Sequence, residues 1–149
     1  MIKIMVCNET EKDRNAIMQL FRKGGIKGEV FFEETLDQSK VTFMLENHTL
    51  IRLRCRDILY FEYINRKIRI VTRDKEYTCI NEKISDIARI MGPYGFAMCH
   101  QSFVVNLYEI ENVLTQELIM KNGDTVYLAQ KRASAIRKEL RSQSGKILI

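Results

Sequence analysis

Two kinds of side chain in this 149-residue sequence could do chemistry, clustered cations and one adjacent cysteine–histidine pair. The cations fall in two segments: residues 52–73 hold seven Lys or Arg against two Asp or Glu, and residues 131–146 hold six against one. Between them, residues 76–124 hold three basic against seven acidic side chains. Residues 1–40 balance at seven against seven, so the formal net charge of +5 is carried by residues 41–149. Segregated cations attract a polyanion. Arg, Lys and Gln are also the side chains that bond phosphates and the edges of guanine and adenine in a duplex. On charge alone, the pattern fits two solvated faces as well.

The Cys99-His100 pair invites a nucleophile reading, but neighbours on a strand point to opposite faces, so they seldom form a nucleophile–base pair. With two histidines in all and no HExxH, GxSxG or glycine-rich phosphate loop, no enzyme activity is expected. The four cysteines, Cys7, Cys55, Cys79 and Cys99, show no CxxC or zinc-finger spacing, so neither metal nor other cofactor is expected. Free thiols in apolar surroundings fit a reducing cytoplasm. No apolar run approaches the roughly 18 residues of a membrane helix, so no membrane partner is expected. Glu9, Glu11 and Asp13 precede any secretory apolar stretch, so export is not expected either.

The elements that must position these residues are mostly strands. Residues 2–6 read as a short buried strand, Asn8 with Glu11 as a helix cap, and Ala16, Ile17, Leu20 and Phe21 as a helix face that Gly24-Gly25 ends. With a strand at Val30-Phe31-Phe32, this is a small β-α-β segment over 1–37. Alternation then marks strands at 41–45 and 51–55, a strand from Ile58 to Ile64, a turn at Asn65-Arg66-Lys67, and strands at 68–72 and 76–80. Asn81 caps a helix carrying Ile84, Ile87, Ala88 and Met91, which Gly92-Pro93 stops. Asn122-Gly123 marks a hairpin between 118–120 and 125–128. Ala133, Ile136 and Leu140 give a final helix, and residues 143–149 a tail. Tyr60, Phe61 and Tyr63 read as core, Asn106 as a partner for buried backbone, and Arg52, Arg54 and Arg56 as one wetted strand face. Arg137, Lys138 and Arg141 fit either a solvent face or phosphate contacts.

Asp57-Ile58-Leu59-Tyr60-Phe61-Glu62, then Phe96 to Leu107 with His100, Ser102, Val105 and Asn106 in H-x-S-x-x-V-N order, then the Lys121-Asn122-Gly123-Asp124 hairpin, follow one another at set distances. In this order residues 38–142 resemble the LytTR family of bacterial DNA-binding domains. The resemblance implies an elongated, mainly β fold of several sheets with short helices, reading double-stranded DNA through loops between strands. Three such loops would fall at Asn65, Arg66 and Lys67; at His100, Gln101 and Ser102; and at Gln130, Lys131 and Arg132. Two of them coincide with the basic segments found independently. Members commonly carry Arg after the signature histidine and Ser-Arg at the last loop, where this chain has Gln101 and Ala129-Gln130, so base preference does not carry over. His100 itself fits either a packed structural role or DNA contact.

Ile2 to Cys7 with Asn8, Glu9 and Arg14 resembles the opening of a response-regulator receiver, but a truncated one with Asn8 at an acidic position, so phosphorylation control is not expected. Its strand edges suggest packing on the second domain or pairing with a second copy. The function expected is that of a cytoplasmic transcriptional regulator binding specific duplex DNA as a homodimer. One alternative is a protein-interaction module that titrates another regulator, with weak or vestigial DNA binding. Another is single-strand or RNA binding through Tyr60, Tyr63 and the arginine stripe.

Overall fold

Apolar residues on both sides of a strand, or on one side only, decide where each strand of this chain sits. The structure, a computed structural model, describes residues 2–6, 16, 19, 20, 23, 28–32, 39–80 and 82–144. The chain divides into two units, Met1–Ser39 and Lys40–Ile149. In the first, β1 (Ile2–Val6) and β2 (Gly28–Phe32) run parallel, with Ile2 opposite Gly28 and Val6 opposite Phe32. Residues 16, 19, 20 and 23 are helical, as the crossover between parallel strands requires. The expected cap at Asn8 and Glu11 and the Gly24-Gly25 stop lie outside the described residues.

The second unit is built on a five-stranded antiparallel sheet. Its strands are β5 (Ile58–Ile64), β6 (Lys67–Thr72), β7 (Glu76–Cys79), β8 (Phe96–His100) and β9 (Phe103–Asn106), in the order β7-β6-β5-β9-β8. One face is covered by the hairpin of β3 (Lys40–Met44) and β4 (Leu50–Arg54) and by helix α1 (Ile84–Met91), enclosing Phe43, Ile58, Phe61, Ile70, Ile87 and Val104. The other is covered by β10 (Ile110–Val113), β11 (Glu117–Met120), β12 (Thr125–Tyr127) and helix α2 (Gln130–Ser144), enclosing Tyr60, Val71, Val105, Leu118 and Ile136. Successive residues feed opposite cores: Ile70 and Val71, or Val104 and Val105, divide between them. A bulge between Ile58 and Tyr60 breaks that alternation, so Leu59 and Tyr60 share one core. Phe61, with no exposed surface, packs its ring against Phe43 at 5.7 Å and Phe96 at 5.8 Å.

Asn106 satisfies buried backbone, as expected: its Nδ2 donates to Ile58 O at 2.9 Å and its Oδ1 accepts the Tyr108 N–H at 3.1 Å. Several expectations change. Asn81 lies outside the described residues; α1 starts after Lys83, which caps without its side chain. Arg56 leaves the strand face, because it sits in a 3-10 turn at Cys55–Asp57. Tyr63 is 42% exposed, since β5 runs past the edge of both cores. Helix α2 continues to Ser144, two residues into the expected tail, and residues 145–149 lie outside the described ones.

Candidate nucleic-acid interface

Strand direction brings the predicted loops to one edge of the five-stranded sheet. β5 ends at Ile64 and returns as β6 with Ile64 opposite Lys67, so Asn65 and Arg66 form a two-residue turn there. β9 starts beside the same end of β5, with Phe103 opposite Glu62, so the Gln101-Ser102 turn leaves the sheet at that edge too. The Tyr63 N–H donates to Ser102 O at 2.8 Å and ties the two turns together. The Ala129 N–H donates to Cys99 O at 2.8 Å, fastening the start of α2 to the outer side of β8.

The side chains differ in how free they are. Asn65 and Arg66 both adopt positive φ, 51° and 61°, as a two-residue hairpin that follows the sheet twist demands. Asn accepts that region readily, whereas Arg does so at a cost. Arg66 is exposed and carries no ion pair or hydrogen bond among the described residues. Lys67, expected beside it as a free cation, instead opens β6 and pairs with Glu46 in the turn after β3. Neighbouring residues of the turn thus end in different states.

His100 is half-buried, its ring 5.8 Å from Phe103 and 5.9 Å from Tyr127. Its Nδ1 accepts the Ser102 N–H at 3.1 Å, which leaves the proton of the neutral ring on Nε2 as a donor. The histidine is therefore packed and still holds one hydrogen-bonding atom in reserve. Gln101 is exposed, and Ser102 is half-buried. The register shifts between Met98 and His100, and Cys99 also lies by Tyr127: its Sγ is 3.3 Å from Tyr127 O, and burial pushes its thiol up to about 12. A buried thiol held protonated is the reverse of an activated nucleophile.

Gln130 and Lys131 are exposed in the first turn of α2, and Arg132 is half-buried there. That turn carries no acidic residue, so its free N–H groups and two cations act together on an anion. Tyr63, Ile64 and Tyr127, between 42% and 61% exposed, stand at the same edge; of these only Tyr63 was named from the sequence as a contact residue, in the single-strand alternative. Their shared sequence signal was position, each within three residues of a predicted loop.

The arginines outside the loops are partly engaged. Arg52 and Arg54 line the outward face of β4, with Arg54 opposite Lys40 on β3. Arg69 is held by Glu62 and Glu76, and Arg73 pairs with the buried Glu109. Arg137 donates to Leu114 O at 3.2 Å. Among the described residues, no helix is long and apolar enough to cross a membrane, and no three His, Cys, Asp or Glu side chains gather as a metal site.

The chain is similar to known proteins. The family model of the LytTr DNA-binding domain matches residues 48–141. A solved LytTr DNA-binding domain from Bacillus cereus is similar at 25% identity with a TM-score of 0.59, covering 69% of this chain and 97% of that one. No curated protein matches the chain. The match begins at residue 48, so the likeness of residues 1–37 to a receiver receives no support from it.

Proposed function

The chain belongs to the LytTr DNA-binding domain family, and from that premise we propose that it is a transcriptional regulator whose inter-strand loops read specific duplex DNA. The observation that carries this reading is the convergence of three loops on one sheet edge, with Arg66, Gln101, Gln130 and Lys131 exposed there. Arg66 and Gln101 suit base edges, the first guanine and the second adenine. Lys131, Arg132 and the α2 N-terminus suit phosphates. Lys67 contributes only by exchanging Glu46 for phosphate, and His100 contributes through Nε2.

The regulator acts in the cytoplasm as a homodimer on paired half-sites, with its subunits joined through the 1–37 segment and without phosphorylation control. The parallel β1–β2 pair supports that joining role, because among the described residues it is a two-stranded sheet with edges open to another strand. Gel-shift titrations on promoter fragments between 50 and 200 mM salt test the DNA reading. Each phosphate neutralised adds about −0.9 to the log–log slope. A flat response, or equal binding to all sequences, favours instead a protein-interaction module. Light scattering at micromolar concentration tests the dimer, and a monomer there overturns it.

A further inference from the structure

A cavity of about 480 Å3 lies between the first half of α2, the start of β8 and the Gly92–Gly95 turn. Its size falls within the range of small-molecule sites, roughly 300–1,000 Å3. Its lining is apolar at Phe96, Met98 and Ile136 and cationic at Lys131 and Arg132. The Arg132 Nε is buried and has no hydrogen-bond partner among the described residues. That atom has almost no accessible surface, so an anion in the cavity meets the exposed part of the half-buried Arg132 together with Lys131. Glu139 lines the same cavity two helical turns further along α2, about 10 Å from Arg132 by helix rise. A negative head is therefore directed to the N-terminal end, where the helix dipole adds to the two cations.

We propose that this cavity binds a small amphipathic carboxylate, its apolar body against Ala97, Met98 and Ala135 and its carboxylate on Arg132 and Lys131. Because these two residues also belong to the phosphate-contacting loop, the ligand competes with DNA for them; this coupling alone rests on the function proposed above.

The carboxylate is tested first without DNA. Gly92 lines the cavity, adopts ordinary right-handed backbone (φ −52°, ψ −47°), and a Cβ built there meets nothing within 4 Å. Gly92→Leu therefore adds a bulky side chain at the cavity wall without backbone strain and leaves Lys131 and Arg132 in place. Calorimetric titration of the full chain with decanoate should show saturable binding, at least tenfold weaker for uncharged decanol and for Arg132→Gln, and lost in Gly92→Leu. No saturable binding, equal binding of decanol, or binding that survives Gly92→Leu in a protein whose melting is unchanged overturns the site. A second arm adds decanoate to gel shifts. DNA affinity should fall at least tenfold at saturation for the native chain and not for Gly92→Leu. Saturable decanoate binding with unaltered DNA affinity overturns the coupling alone, and absent DNA binding in a chain that still takes decanoate overturns the DNA reading alone.

Discussion

The two asparagine-containing hairpin tips of the second unit look alike in sequence and have opposite uses. At Lys121 to Asp124 the turn is closed on itself: Asn122 Oδ1 accepts the Asp124 N–H at 3.0 Å, and Gly123 takes the positive φ of 92°. Met120 and Asp124 flank a three-residue loop whose last residue is left-handed, not the two-residue turn that Asn-Gly suggests. Asp124 then accepts the Tyr60 hydroxyl at 2.9 Å, fastening the β11–β12 sheet to the central one. At Asn65-Arg66 no side chain among the described residues closes the turn, and a long cation occupies a position where glycine is more comfortable. One tip spends its polar atoms on the fold; the other holds them outward. A strained, unpartnered arginine at a loop tip is a feature expected of a contact surface.

Breaking each tip should therefore move different observables. The largest effect expected is on DNA: Arg66→Ala should weaken specific binding about 10- to 100-fold, the worth of a good base contact, with melting unchanged. Gel shifts and thermal melts on the same protein check both halves. Next, Asp124→Ala orphans the buried Tyr60 hydroxyl and should cost about 1–3 kcal/mol in urea unfolding, while DNA affinity holds. Gly123→Ala should cost about 1 kcal/mol because of its left-handed backbone. The sharpest test of the contrast is Arg66→Gly, which should stabilise the protein by about 0.5–1 kcal/mol while weakening DNA binding. A loss of stability there would mean that Arg66 serves the fold after all. The smallest effect is expected from Arg54→Ala, on the far-reaching β4 face, which should weaken DNA binding less than Lys131→Ala does; equal losses would overturn the loop assignment.

Stability should also respond to alkali through the buried thiols. Burial pushes Cys55 and Cys79 up to about 11 and Cys99 up to about 12, above the ordinary value of 9.0. The folded state holds these protons more tightly, so the stability they contribute is complete below about pH 9 and is lost as pH rises toward 11–12. Thermal melts from pH 8 to 11 should decline over that window, and a flat profile would contradict the burial argument.

Much of the second unit was legible because its signal is local. Alternation at 41–45 and 51–55, the apolar run Ile58 to Phe61, and the Asn65-Arg66 turn each lie within a few residues. Asn106 was legible as well, since a buried amide must find partners. Tyr63 was misread because alternation reports which face a side chain takes, not whether the strand has outrun the layer covering that face. The ion pair of Lys67 was not legible for a related reason: its partner Glu46 lies on another hairpin, and only the assembled packing of β3–β4 beside β7 brings it within reach.

The sequence by itself determined the strand periodicity, the positions of the turns, and the segregation of charge that pointed to a polyanion. These follow from backbone geometry and composition, which need no distant partner. Tertiary structure decided which cations remain free, that three loops far apart in the chain share one sheet edge, and that a cavity opens beside Arg132. Each of those depends on register and strand order, and register is settled by packing on both faces of the sheet at once.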